Sequence, residues 1–128
     1  MVKDIKEKKF EVKWDENLKI MRVKIIGNQI GEDADAMFKA IVEQSTFVFQ
    51  KDLEPVKILI DISKAGKMDR EAIEIHSKYF KFFKIGKVAF LGADFFRKTI
   101  VASIYTLAGH KDYKFFDEEK KAVEWLTA

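Results

Sequence analysis

The sequence predicts an α/β domain: a mixed, mostly parallel sheet of about five strands, opened by an antiparallel hairpin and accompanied by four helices. Three observations predict it. From Val56 to Glu71 an apolar run ends in Asp61, crosses a short polar stretch and enters a helical pattern at Asp69, the repeating strand–loop–helix unit of such domains. The same succession returns from Lys87 to Leu107 and again from Tyr113 to Leu126. Ahead of them, Phe10 to Ile26 alternates apolar and polar residues on both sides of a turn, the mark of a hairpin.

Taken in order, Phe10, Val12 and Trp14 alternate with Glu11 and Lys13 as a half-buried strand, and Asp15-Glu16-Asn17 makes the turn. Ile20 to Ile26 returns as the second strand, with Met21, Val23 and Ile25 on one face and Arg22 and Lys24 on the other. Gly27 and Gly31 bracket a loop, and Glu32, Asp33 and Asp35 then stand where a helix N-terminus favours acids. Ala34, Met37, Phe38, Ile41, Ser45 and Val48 form the stripe of that helix, closed by Pro55. Val56 to Ile62 is apolar on both faces, as an interior strand is. Asp69 N-caps a helix to about Phe83, with Met68 and Ile73 at staple spacing and Gly86 as the breaker. Lys87 to Leu91 is the next interior strand. Asp94 caps a third helix to about Leu107, ended by Gly109; Tyr113 to Phe116 is a short strand; Asp117 caps the last helix, whose apolar side is Ala122, Val123, Trp125 and Leu126. Right-handed crossovers between neighbouring strands place the helices on one face of the sheet.

The 128 residues fit one domain over residues 10–128, preceded by a charged lead-in at residues 1–9. There is no cysteine, which excludes disulfides, thiol catalysis and thiolate metal sites and fits a reducing, cytoplasmic setting. The first ten residues contain no apolar core of a signal peptide, and no run approaches the ~20 apolar residues of a membrane span. Basic and acidic residues, 24 against 21, are interleaved, so the charge gives no footprint for nucleic acid. Twelve Phe in so short a chain are more aromatic surface than one small core needs.

Three stretches, in order, resemble the SpoIIAA-like family, also called STAS/SEC14-domain proteins: Leu59-Ile60-Asp61 with Met68; Lys87-Val88-Ala89-Phe90-Leu91-Gly92 followed by Arg97; and Phe115-Phe116-Asp117 with Ala122 to Leu126. The wider run Ile58 to Ser63 followed by Met68-Asp69 is similar to the strand and helix start of STAS domains, the fold of bacterial anti-sigma-factor antagonists. The resemblance spans roughly residues 18 to 126. It implies parallel strands wound with helices behind an antiparallel strand, and a non-catalytic module that binds proteins or, on the Sec14 side of the fold, lipids. In the phospho-regulated antagonists the Asp at this helix start is followed by Ser residues, one of them phosphorylated. Here Arg70 and Glu71 follow Asp69, so the resemblance does not bring the phosphoswitch with it.

The chemistry legible in the residues is sparse. No phosphate loop, Gly-x-Gly-x-x-Gly or His-x-x-x-His occurs, and no nucleophile has a base and orienting group beside it, so neither catalytic residues nor a metal or cofactor is expected. His76 shares a helical face with Ala72 and Phe80 and reads as a packed side chain; His110 follows a helix-ending glycine and reads as a loop residue meeting helix carbonyls. Asp61 ends a parallel strand and reads as a carboxylate that bonds loop amides. The third helix breaks a local rule: its first turn holds Arg97 and Lys98, cations that oppose the helix dipole. That places a candidate anion site at Arg97 and Lys98, closed from the adjacent loop by Ser63, Lys64 and Lys67. Tyr79, Phe82 and Tyr105 are candidate contacts of a homodimer, because the second and third helices carry more aromatic surface than one stripe can bury. The expected function is therefore protein–protein interaction, and the alternative a carrier with an apolar or anionic ligand between these helices and the sheet.

Overall fold

Among the described residues, which are 9–49, 55–83 and 85–128 of the computed structural model, five strands join one sheet in sequence order. The expected lead-in up to residue 8 and the Val48 side chain lie outside them. β1 (Phe10–Asp15) runs antiparallel to β2 (Ile20–Gln29); β3 (Val56–Met68), β4 (Ile85–Leu91) and β5 (Tyr113–Phe116) follow in parallel. The hairpin turn is held by Asp15, whose side chain accepts from Leu18 N at 3.0 Å and whose carbonyl accepts from Lys19 N at 2.8 Å.

Helices α1 (Gly31–Phe49), α2 (Arg70–Phe82) and α3 (Phe95–Ala108) are the crossovers between parallel neighbours and share one face of the sheet. Their buried Met37, Phe38, Ile41, Phe80, Val101 and Ile104 meet Met21, Val23, Ile58, Ile60 and Phe90. Helix α4 (Glu119–Thr127) follows the last strand and crosses to the other face, where Ala122 and Leu126 cover Ile20, Leu59 and Ala89. The expectation of all helices on one face is thus corrected for α4, which closes no crossover.

The N-caps of α2 and α3 are as read: Asp69 accepts from Ala72 N and Asp94 from Arg97 N, both at 2.8 Å, and Gly109 ends α3 in the left-handed region at φ 70°. Gly86 is not the breaker of α2: the helix ends at Phe83, which is already extended, and Gly86 lies in β4. At the start of α1, Asp33 reaches back to Ile30 N at 3.0 Å, half of a capping box. Asp117 does not cap α4. The chain is still extended at Glu118, because Phe116 continues the ladder by accepting from Gly92 N at 3.1 Å, and the helix begins one residue later than expected.

The largest departure lies beyond Ile62. The polar stretch Ser63 to Lys67 is not a loop: β3 continues to Met68 and pairs with β2 as far as Gln29. This two-stranded arm bends at irregularities in the ladder between Lys24 and Ile26 and between Gly27 and Gln29. Gly27 takes φ 70°, and a Cβ on Gly66 would stand 2.3 Å from Asn28 Oδ1. Asn28 Oδ1 also accepts from Lys67 N at 2.8 Å. Gly27, read as one end of a loop, is a bulge within the ladder, and Gly66 makes a close approach in the same arm.

Candidate functional site

The carboxyl end of β3 and β4, where ligands of α/β folds gather, is closed by Arg97. Asp94 caps α3 with one oxygen, and its other oxygen takes Arg97 Nη1 at 2.6 Å. Arg97 Nε donates to Ala65 O on the arm at 2.9 Å, and Nη2 donates to the same oxygen. The guanidinium therefore ties the first turn of α3 to the arm, and the fork that could hold an anion is engaged by groups of the chain itself.

The other residues read as an anion site are only partly gathered. Ser63 directs its amide and its hydroxyl to Asp61 Oδ1, at 2.9 and 2.7 Å; Asp61 does bond a following amide, but inside the continuing strand β3 and not at a strand end before a loop. Gly92 passes so close that a Cβ there would stand 2.7 Å from Ser63 Cβ. Lys64 and Lys67 are exposed on the arm. Lys98 lies on the other flank of α3, its Nζ 5.7 Å from the centre of the Phe115 ring.

Beneath the arm, between the sheet and helices α2 and α3, is a cavity of about 40 Å³ whose lining includes Ile62, Phe90, Val101, Ile104, His76 and Arg97. Its one buried polar pair is His76 and Gln29: the imidazole Nε2 and Gln29 Oε1 are 2.6 Å apart, and Gln29 Nε2 donates to Met37 Sδ at 3.6 Å. Burial holds the His76 pKa down to about 3, so the ring is neutral and donates its Nε2 proton to the amide oxygen. Sequence reading placed His76 on the packed face but missed its partner, which stands 47 residues away on another element. His110 meets the expectation through its backbone and departs from it through its ring. Its amide donates to the helix carbonyl Tyr105 O at 3.1 Å, while its ring meets Gly86 O on β4 at 3.1 Å.

Of the three expected dimer contacts, Tyr105 lies in the core, 1% exposed, with its ring 4.5 Å from that of Phe80 and 4.4 Å from that of Tyr113. It is therefore no surface contact; its place beside Val101 and Ile104 on α3 turns it inward. Its hydroxyl has no hydrogen-bond partner among the described residues, and burial pushes the phenol pKa up. Tyr79 is half-buried between Phe38 and Phe83, with ring centres 4.6 and 5.0 Å away, and donates to Asp35 Oδ1 at 3.3 Å. Phe82 is exposed. The surface aromatics that sequence reading did not single out for contact are Phe83, Phe95 and Phe96, joined by Leu107; with Phe82 they are 46, 85, 63, 67 and 70% exposed in that order. The signal was present in the excess of apolar residues on the third helix over one stripe.

Among the described residues, no three His, Asp or Glu side chains are grouped to hold a metal ion, and no helix is long and apolar enough to cross a membrane.

A model of the SpoIIAA-like family matches residues 20–127. Among solved structures, the chain is similar to an uncharacterised protein of the DUF3478 family with a SpoIIAA-like fold from Shewanella loihica PV-4, with a TM-score of 0.69 and 19% identity over 98% of each chain. At that identity the likeness is one of fold. No curated protein matches the chain.

Proposed function

The chain belongs to the SpoIIAA-like family, and from that premise we propose that it is a non-catalytic module that acts in the cytoplasm by binding other protein chains. The observation that carries this reading is the exposed apolar surface of Phe82, Phe83, Phe95, Phe96 and Leu107 at the end of α2 and along α3. Phe82 and Phe83 stand at the end of α2, Phe95 and Phe96 at the start of α3 and Leu107 near its end; large apolar side chains left in water are what a partner would cover, and aromatic residues are enriched at the centre of such contacts.

The second reading, a carrier for a small apolar or anionic ligand, draws support from the cavity under the arm. The cavity's 40 Å³ compares with about 300–1,000 Å³ for a small-molecule pocket. To use this cavity, a carrier would have to lift the arm and release Arg97 from Ala65 before anything larger than a few solvent molecules entered.

Native mass spectrometry of the protein purified from its own cells separates the two. The module reading expects masses that are sums of protein chains. A retained small organic mass on a single chain, lost on denaturation, would replace it with the carrier.

A further inference from the structure

Helix α3 is out of keeping with the rest of the chain. Charged residues make up 35% of the sequence, yet none occurs from Thr99 to Gly109. The outward residues Phe95, Phe96, Thr99, Ser103, Thr106 and Leu107 are all exposed. Two of the hydroxyls are turned back onto the helix: Thr99 Oγ1 donates to Phe95 O at 3.1 Å and Ser103 Oγ to Thr99 O at 3.0 Å. Hydroxyl protons already donated to the helix need no water, so this face can be dried without stranding them. Its middle is small and its two ends are large, which allows close approach at the centre and apolar contact at the ends.

The charge at the ends is the second clue. α2 is compensated in the ordinary way, with Glu71 in its first turn and Lys81 in its last. α3 has no acid in its first turn, where Arg97 and Lys98 stand, and no base in its last. Arg97 is engaged by Asp94 and Ala65; Lys98, its Nζ 5.7 Å from the centre of the Phe115 ring, stands on an exposed flank as a cation at the wrong end of its own helix. A second α3 running antiparallel brings that cation to a helix C-terminus, where cations are favoured.

We propose that the outer face of α3 pairs antiparallel, about a two-fold axis near Ala102 and Ser103, with the α3 of a second copy of this chain. Phe96 of one copy then lies toward Leu107 of the other, and Lys98 beside the last carbonyls of the other helix. The surface is self-complementary, as a two-fold contact requires. Phe95, Phe96 and Leu107 leave roughly 400 Å² of side chain in water, close to the apolar share, about 500 Å² per partner, of a standard interface. The inference rests on the interaction-module reading and names one partner for it.

Sedimentation equilibrium of the purified chain from roughly 1 to 100 μM tests it. The wild type sediments as a dimer. Ser103→Arg, on the exposed middle of the face, raises the dissociation constant at least about tenfold without lowering the melting temperature. Lys98→Glu weakens the dimer several-fold while its melting temperature holds or rises, because an acid suits the start of its own helix. A monomer throughout, or a dimer indifferent to Ser103→Arg, overturns the pairing; a dimer that Lys98→Glu leaves as tight overturns its antiparallel sense. A monomer that pellets with vesicles of phosphatidylglycerol and phosphatidylcholine, and ceases to do so as Ser103→Arg, assigns the face to a lipid surface and also overturns it. The module reading has its own readout, the masses of the native material, and survives a monomer here if other protein chains are bound there.

Discussion

Acid should loosen this fold well before its carboxylates protonate, and the cause is His76. The imidazole is buried and neutral, with a pKa of about 3 against 6.5 in the open chain. Below the open-chain value the unfolded state binds a proton that the folded state refuses, so stability falls as pH falls, from about 6.5 until the folded value near 3 is reached. At 1.36 kcal/mol per unit, the loss between pH 7.5 and 4.5 is about 3 kcal/mol, and it levels off at about 4–5 kcal/mol below pH 3. The carboxyls of Asp15 and Asp35 are held below their ordinary values, Asp15 chiefly by the Leu18 amide and then by Arg22, Asp35 chiefly by Lys39. They withdraw their stability lower in pH, as they protonate below about 4. The perturbation that isolates His76 is the double substitution Gln29→Leu with His76→Leu, which removes both partners and leaves no orphaned donor. Urea unfolding followed by circular dichroism at pH 7.5 and 4.5 gives the two stabilities. The wild type should lose about 3 kcal/mol more than the double variant over that interval. Parallel losses in the two proteins, or an imidazole carbon-bound proton of His76 that titrates in the folded state near pH 6, would refute the reasoning.

Other changes follow from the same packing. Leu59→Asp places a carboxylate under Ala122 and Leu126 on the α4 face and should cost more than about 4 kcal/mol; a soluble variant with an unchanged melting temperature would contradict Leu59's place between sheet and α4. Tyr105→Phe removes a buried hydroxyl without a partner and should be neutral or stabilising by up to about 1 kcal/mol in urea unfolding; a clear loss would mean that the hydroxyl is bonded. Arg97→Ala frees the arm, so amides of residues 63–68 should exchange faster with solvent while those of β4 do not, at a cost of about 1–2 kcal/mol. Phosphate should raise the melting temperature of wild type and Arg97→Ala alike; a rise confined to the wild type would show that the fork leaves Ala65 for an anion.

The order of elements was legible because each strand and helix carries its own apolar period. Met21, Val23 and Ile25 alternate onto one face of β2, and Ala72, His76 and Phe80 mark the buried stripe of α2. The arm was illegible because its residues pair through the backbone, and Ser63 to Lys67 show only the polarity of side chains left in water. Gly27 and Gly66 carried the right physics, an unusual φ and a close approach, but glycine announces neither a bulge nor a loop by itself. Gln29 could not be joined to His76 from sequence, since the contact belongs to the tertiary fold. Tyr105 was misplaced on the surface because counting aromatics against one stripe does not say which of them turns inward. The same count was sound for Phe95, Phe96 and Leu107. The inverted charge on α3 was visible as two cations at a helix start, although their different surroundings, Arg97 tied to the arm and Lys98 on the far flank, were not.

The central claim is that the aromatic surface of α2 and α3 is covered by protein in the cell. Photo-crosslinking tests it most directly: a benzophenone amino acid at position 96, replacing the exposed Phe96, is irradiated in the protein's own cells, with position 74 on the charged side of α2 as control. Discrete adducts are expected at position 96 that exceed the single chain by the mass of a protein, a second copy among them, and none at position 74. Adducts to lipid or small molecules at position 96, or a yield no greater than at position 74, would contradict it.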